Sequence, residues 1–173
     1  MTLDEAVFLD LATVARGDLD LTRLTAACAQ WSLYDYTRAQ ETAARLAGAQ
    51  VVVTNKVVLD RAALAAAPRL RLVCLTATGT NNVDLAAAGE LGIAVSNVTG
   101  YATASVVQHV FALILAHATR LLDYRAAVAQ GAWSASTQFC LLDFPIVELA
   151  GKTLGIVGYG ELGRAVAEVA RCF

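Results

Sequence analysis

The sequence predicts an α/β protein: a doubly wound parallel sheet followed by the opening of a second strand-and-helix domain. Over the first hundred residues, short β-branched runs alternate with alanine-rich helical patterns, the order of a parallel sheet covered on both faces. Near the other end, Leu154-Gly-Ile-Val runs into Gly158-x-Gly160-x-x-Gly163 and then a helical pattern. The composition agrees, with 57% hydrophobic and only 16% charged residues, so either much of the chain is buried or part of its cover is missing.

The elements follow in order. Residues 6–9 read as the first strand, closed by Asp10, and 21–29 as a helix with Leu21, Leu24 and Cys28 on one face. Residues 33–36 are the second strand. Thr37 stands three residues before Gln40, a reciprocal capping spacing that predicts a helix over 38–46. Residues 51–53, 72–75 and 93–95 are three further strands. Asp60 and Asp84 sit where N-caps belong, and Pro68 stops the first of the two helices they open. Five strands with intervening helices make an open doubly wound sheet, in which ligands gather at the carboxyl ends of the strands. The texture changes after Asn97, which puts one domain at 1–99 and the next at 100–173. Thr103 is placed to cap one long helix over 103–122, apolar around most of its circumference. A helical piece then ends near Gly131, a loop surrounds Trp133, Phe139 and Phe144, a strand begins at Leu154, and a helix covers 164–170.

Composition excludes several classes. Thirteen Lys+Arg against fifteen Asp+Glu leave a formal charge of −2, with no basic field for a nucleic acid. The longest apolar stretch, 106–122, is broken by Gln108, His109, His117 and Arg120, unlike a membrane span of about 20 mostly apolar residues. Asp4 and Glu5 occupy the region where a signal peptide would be basic. Cys28, Cys74, Cys140 and Cys172 are far apart and form no Cys-x-x-Cys pair, so neither a metal site nor a disulfide framework is expected and a reducing cytoplasm is.

In the glycine motif each glycine has its own part: the first makes a tight turn, the second lets backbone approach a pyrophosphate, and the third lets helix and strand pack closely. The helix that follows offers free amides and the positive end of its dipole to phosphate. The alternative is a merely tight βα turn. A P-loop ending in Gly151-Lys-Thr153 is excluded, because its first glycine would fall on Ile146 and its strand would have to precede it; Lys152 reads instead as the lip of the incoming strand. Only ten residues follow Gly163, whereas the acidic residue that meets the ribose hydroxyls stands about 20 residues on. The chain therefore reads as the front part of a longer protein.

Several motifs, in order along the whole chain, resemble the D-isomer-specific 2-hydroxyacid dehydrogenases, most closely their glycerate dehydrogenase or hydroxypyruvate reductase branch. They are Val51-Val-Val-Thr-Asn-Lys56, Thr76-Ala-Thr-Gly-Thr-Asn-Asn-Val-Asp84, Asn97-Val-Thr-Gly-Tyr101 with Ser105-Val-Val-Gln-His109, and Glu148-Leu-Ala-Gly-Lys-Thr-Leu-Gly-Ile-Val-Gly-Tyr-Gly160. The resemblance implies a flavodoxin-like substrate domain, then a Rossmann domain for NAD or NADP, and reversible reduction of a small 2-oxo acid such as hydroxypyruvate or glyoxylate to its D-2-hydroxy acid.

Carried onto this chain, the resemblance makes Ala77, Thr78 and Gly79 a cradle whose amides hold the substrate carboxylate; the plain alternative is an ordinary βα turn. Asn55 and Lys56 become the pocket lip, where an amide and an ammonium orient a carboxylate, against a simply solvated lysine. Val106 lies near the cofactor or is plain core, and Gly158, Tyr159, Gly160, Glu161, Leu162 and Gly163 form the phosphate turn. Glu161 departs from the basic residue many relatives carry and is expected to point to solvent; Gln108 replaces a glutamate, with no functional change attached. The catalytic His, Glu and Arg of the family belong beyond Phe173, so no catalytic residue is assigned within this chain. His109 and His117 fall on the helix resembling the dimerisation arm, which implies a homodimer. Two functional readings result: the N-terminal part of an oxidoreductase, or a non-catalytic binding or interaction module, even a gene remnant, without turnover.

Overall fold

Five short strands form the one sheet of the computed structural model, which describes residues 3–173. They are β1 (Glu5–Phe8), β2 (Gln30–Leu33), β3 (Val51–Thr54), β4 (Leu72–Leu75) and β5 (Ala94–Ser96). All pair in parallel, in the order β2-β1-β3-β4-β5, the flavodoxin-like arrangement. All four residues of β3 are buried, as a central strand covered on both faces requires, and this is why its sequence is a continuous apolar run rather than an alternating one. One face is filled by Val7, Leu9, Val52, Leu64, Val73 and Leu75, the other by Ala6, Cys28 and Val51 with Trp31 and Leu72 against them.

Four helices connect the strands: α1 (Thr22–Thr25), α2 (Ala39–Leu46), α3 (Arg61–Ala65) and α4 (Leu85–Glu90). Asp60 and Asp84 cap α3 and α4 as their positions predict, accepting the Ala63 and Ala87 N–H groups at 2.8 Å each. Three expectations are corrected. The helix expected over 21–29 is a single turn, because the chain must already be extended where the Gln30 N–H reaches Asp4 O at 2.8 Å. That same pairing puts Gln30 in register with Glu5 and moves the second strand from 33–36 to 30–33. Thr37 does not cap α2: its hydroxyl donates to Leu9 O, and the reciprocal capping contact falls one residue later, from Arg38 N–H to Glu41 Oε2 at 2.8 Å.

The chain divides into two compact units, the first ending at Thr99 and the second running Gly100–Phe173. The second holds α5 (Thr103–Ala118), α6 (Leu121–Ala129), α7 (Ala132–Ala135) and α8 (Glu161–Ala170). The single helix expected over 103–122 is broken in two: Arg120 adopts a left-handed backbone, φ 54°, and α6 leaves at 62° to α5. Ala102, not Thr103, is the N-cap of α5. Among the described residues no single helix is long and apolar enough to cross a membrane. Val107, Phe111 and Val166 form the unit's buried centre, and Phe173 stacks on Phe111 with ring centroids 5.5 Å apart. Tyr124 fastens the loop after α7, lying edge-on to Phe144 and 2.8 Å from its carbonyl.

The strand expected from Leu154 is absent. A lone segment with no neighbour to share its backbone hydrogen bonds is no strand, and Leu154 and Val157 lie exposed. Lys152 accordingly lies exposed beside an irregular segment rather than at the lip of a strand. Helix α8 starts at Glu161, three residues before the expected Arg164, so Gly163 falls in its first turn.

Candidate functional site

In the first unit the sequence-predicted residues converge on the carboxyl edge of β3 and β4, which pair side by side with Thr54 opposite Leu75. Asn55 and Lys56 leave β3, and Thr76 to Gly79 leave β4. The two loops are tied together where the Thr76 N–H donates to Thr54 O at 3.0 Å.

Asp10, at the end of β1, is the residue that sequence reasoning missed. It is 3% exposed, yet its carboxylate accepts the Asn55 N–H at 2.9 and 3.1 Å and the Lys56 N–H at 2.7 Å. A buried carboxylate must find donors of this kind, and here they fix the backbone of the lip. The only signal in the sequence is an acidic residue closing a buried strand; its partners lie 45 and 46 residues away. The Lys56 side chain is exposed, makes no ion pair among the described residues, and edges a cleft shared with Thr37, Thr42, Val58 and Asp60.

The loop after β4 is braced from behind. Thr78 Oγ1 donates to Val98 O at 2.8 Å, Asn97 Nδ2 donates to Thr78 O at 2.7 Å, and the Val98 N–H donates to Ala77 O at 3.2 Å. These contacts occupy carbonyls and side chains. The N–H groups of Ala77, Thr78 and Gly79 donate to no other group among the described residues. The Thr76 hydroxyl is buried without a partner among the described residues. Consecutive free amides at the carboxyl end of a sheet can receive an anion.

In the second unit the glycine turn has the geometry its spacing requires. Gly158 has φ +91°, a backbone that favours glycine. A Cβ on Gly163 would stand 2.2 Å from Gly158 O and 3.3 Å from Ile156 Cγ2, so only glycine lets the first turn of α8 pack on the incoming segment. A Cβ on Gly160 would meet nothing within 4 Å; that open space is where a phosphate-bearing group can approach the backbone. The first amides of α8 have no partner within the helix, and the ladder starts with Arg164 N–H to Gly160 O at 3.0 Å. These residues fit a dinucleotide pyrophosphate. Tyr159 and Leu162 are exposed on either side. Glu161 is not free in solvent: its carboxylate accepts the Thr103 hydroxyl in the first turn of α5. Val106, one turn further along α5, is half-buried.

His109 and His117 both lie exposed on α5. Among the described residues no group of three or more His, Cys, Asp or Glu could hold a metal ion.

Residues 10–168 match the catalytic domain of the D-isomer specific 2-hydroxyacid dehydrogenases. A putative 2-hydroxyacid dehydrogenase of Haemophilus influenzae is 45% identical over 140 residues, covering 81% of this chain and 44% of that protein. A hydroxypyruvate reductase of Blautia hydrogenotrophica is 36% identical over 167 residues, covering 95% of this chain and 52% of that protein. The solved 2-hydroxyacid dehydrogenase of Ketogulonicigenium vulgare superimposes with a TM-score of 0.78 at 26% identity, over 99% of this chain and 52% of that one. The chain thus spans about half the length of the relatives it matches.

Proposed function

The chain belongs to the D-isomer specific 2-hydroxyacid dehydrogenase family, and from that premise we propose that it supplies the acid-binding edge and the pyrophosphate turn of an NAD- or NADP-dependent oxidoreductase. The reaction interconverts a small 2-oxo acid of the hydroxypyruvate or glyoxylate type and its D-2-hydroxy acid. Residues 1–99 serve as the substrate domain and 100–173 as part of the cofactor domain. When bound, the nicotinamide supplies or receives the hydride. This chain's own residues bind and orient: Ala77, Thr78 and Gly79 hold the carboxylate through their N–H groups, Asn55 and Lys56 form the lip, and Gly158 to Gly163 with Val106 seat the dinucleotide.

The observation that carries this reading is the row of free amides after β4, at the sheet edge where open α/β folds bind ligands. Its test is a titration of the isotope-labelled chain with hydroxypyruvate and with glyoxylate. The Ala77, Thr78 and Gly79 amide resonances are expected to move with both acids; no response from them would overturn the reading.

A second reading, of a binding module without turnover, is favoured by one observation. The segment ahead of the glycine turn pairs with no strand among the described residues. The 173-residue chain by itself is therefore expected to oxidise no NAD(P)H and to bind NADH weakly or not at all, and micromolar binding in a fluorescence titration would contradict this. The four unpaired cysteines suit a reducing cytoplasm. Leu113, Leu115, Leu121 and Leu122 are exposed on α5 and α6, apolar surface suited to cover by a second copy of the chain. A homodimer is expected by light scattering; a monodisperse monomer would count against it.

A further inference from the structure

The side chain of Asn55 is held in one sense by a chain of hydrogen bonds, and that sense determines what it can recognise. Thr13 Oγ1 lies 2.7 Å from Asp10 O, a carbonyl that can only accept, so the single hydroxyl hydrogen is committed there. Towards any other group this hydroxyl must act as acceptor. The Asn55 amide approaches it at 3.1 Å, and the branch facing it must therefore be the NH2. Chemistry fixes the amide orientation that geometry alone leaves open. Asn55 Oδ1, on the opposite branch, has no partner among the described residues, and the side chain is only partly buried. The backbone beneath it cannot drift, because the buried Asp10 carboxylate holds the Asn55 and Lys56 N–H groups at 2.7 to 3.1 Å.

A 2-oxo acid presents a carboxylate and a ketone, all of them acceptors. The Lys56 ammonium and the amides of Ala77, Thr78 and Gly79 are the donors that match these oxygens. An amide oxygen is repelled by carboxylate and ketone alike and is matched only by a hydroxyl on the substrate. We propose that Asn55 is a specificity-determining residue that accepts a hydrogen bond from a hydroxyl on the carbon chain of the acid, with Asp10 and Thr13 as its positioning residues. The site then selects hydroxyl-bearing 2-oxo acids over unsubstituted ones. This rests on the reading of residues 55–56 and 77–79 as the acid-binding edge.

Hydroxypyruvate and pyruvate differ only by that hydroxyl, so the ratio of their dissociation constants isolates the contact. We expect the chain, titrated by NMR, to bind hydroxypyruvate about fivefold tighter than pyruvate, the value of one neutral hydrogen bond. Asn55→Ala and Thr13→Val should bring the ratio close to one, while Thr13→Ser, which keeps the hydroxyl, should retain the preference. Asp10→Asn sets an NH2 against two N–H donors and should weaken both acids while moving the Asn55 and Lys56 amide resonances. A wild-type ratio near one, or a ratio unchanged by Asn55→Ala and Thr13→Val, overturns the inference. If the Ala77, Thr78 and Gly79 amides respond equally to both acids, the acid-binding reading stands and the inference alone fails. If they respond to neither, both fall. The serine variant and the thermal midpoint of each protein separate loss of the contact from loss of the fold.

Discussion

The two units contain similar apolar residues and use them differently. In the first, every strand has a neighbour, β3 is wholly buried, and Leu9, Leu46, Leu59 and Val73 are sealed from solvent. In the second, Val157, Phe139 and Leu142 lie largely exposed, and the segment leading into the glycine turn has no strand beside it. The difference teaches that a parallel sheet is satisfied collectively, whereas a βα turn can be satisfied by its own glycines. The turn around Gly158 and Gly163 closes correctly without a sheet, because its decisive contact is local, between the first turn of α8 and the carbonyl just before it.

The sharpest way to break the comparison is to remove equal side chains from each unit. Leu64→Ala in the first opens a cavity at a residue 1% exposed and is expected to cost about 3 kcal/mol in urea unfolding. Leu142→Ala in the second, at a residue 79% exposed, should cost less than about 0.5 kcal/mol. Equal losses would mean that Leu142 is covered in solution.

Next in size is a contrast within the turn. Gly163→Ala forces a Cβ to within 2.2 Å of Gly158 O and should destabilise the second unit by about 2 kcal/mol as helix and turn move apart. Gly160→Ala meets open space at φ −79°, so its thermal midpoint should hold. A fall in stability at Gly160 as large as at Gly163 would show that the second glycine serves packing rather than approach.

Legibility in the sequence divides along the same line. The presence of the five sheet strands, the Asp60 and Asp84 caps, the tight turn at Gly158 and the close packing at Gly163 were readable, because each depends on residues close in sequence or on a dense apolar run. Three features were not, for physical reasons. The break at Arg120 sits in an alanine- and leucine-rich stretch with no proline or glycine to announce it. Thr37 has the spacing of a cap, but a long-range acceptor, Leu9 O, takes its hydroxyl. Asp10 reads as a strand end, since the amides it holds come from another strand. At the candidate site the residue types were visible and the hydrogen-bond directions, which decide recognition, were not.

Cysteine reactivity extends the comparison. Burial pushes the Cys74 and Cys28 thiols in the first unit upward, with Asp4 adding to the shift at Cys28. Less thiolate is then present at neutral pH, and both should label slowly. Cys172, exposed in the second unit, should label first; mass spectrometry of partly modified protein reads the order, and fast labelling of Cys74 would show that the sheet opens.

The smallest expected effect is on acid stability. Among the described residues the carboxyl groups held below their usual range all belong to the first unit. Glu90 is lowered by its hydrogen bonds and charge attraction with Arg61, 2.6 Å away; Asp18 by the Arg16 N–H and its own, and Asp20 by the Thr22 hydroxyl and N–H. A carboxyl lowered in the folded state contributes stability above its unfolded pKa, and that contribution disappears as pH falls through the folded value. Acid should therefore weaken the first unit before the second. All three groups are fully exposed, so the shift is small and salt will shrink it further. Trp31 lies in the first unit and Trp133 in the second. Melts of Trp133→Phe and Trp31→Phe followed by fluorescence therefore report each unit separately. Between about pH 5 and pH 3 the Trp31 midpoint should fall more than the Trp133 midpoint, and Glu90→Gln should remove part of the difference. Parallel falls would place the acid-sensitive groups outside these three carboxyls.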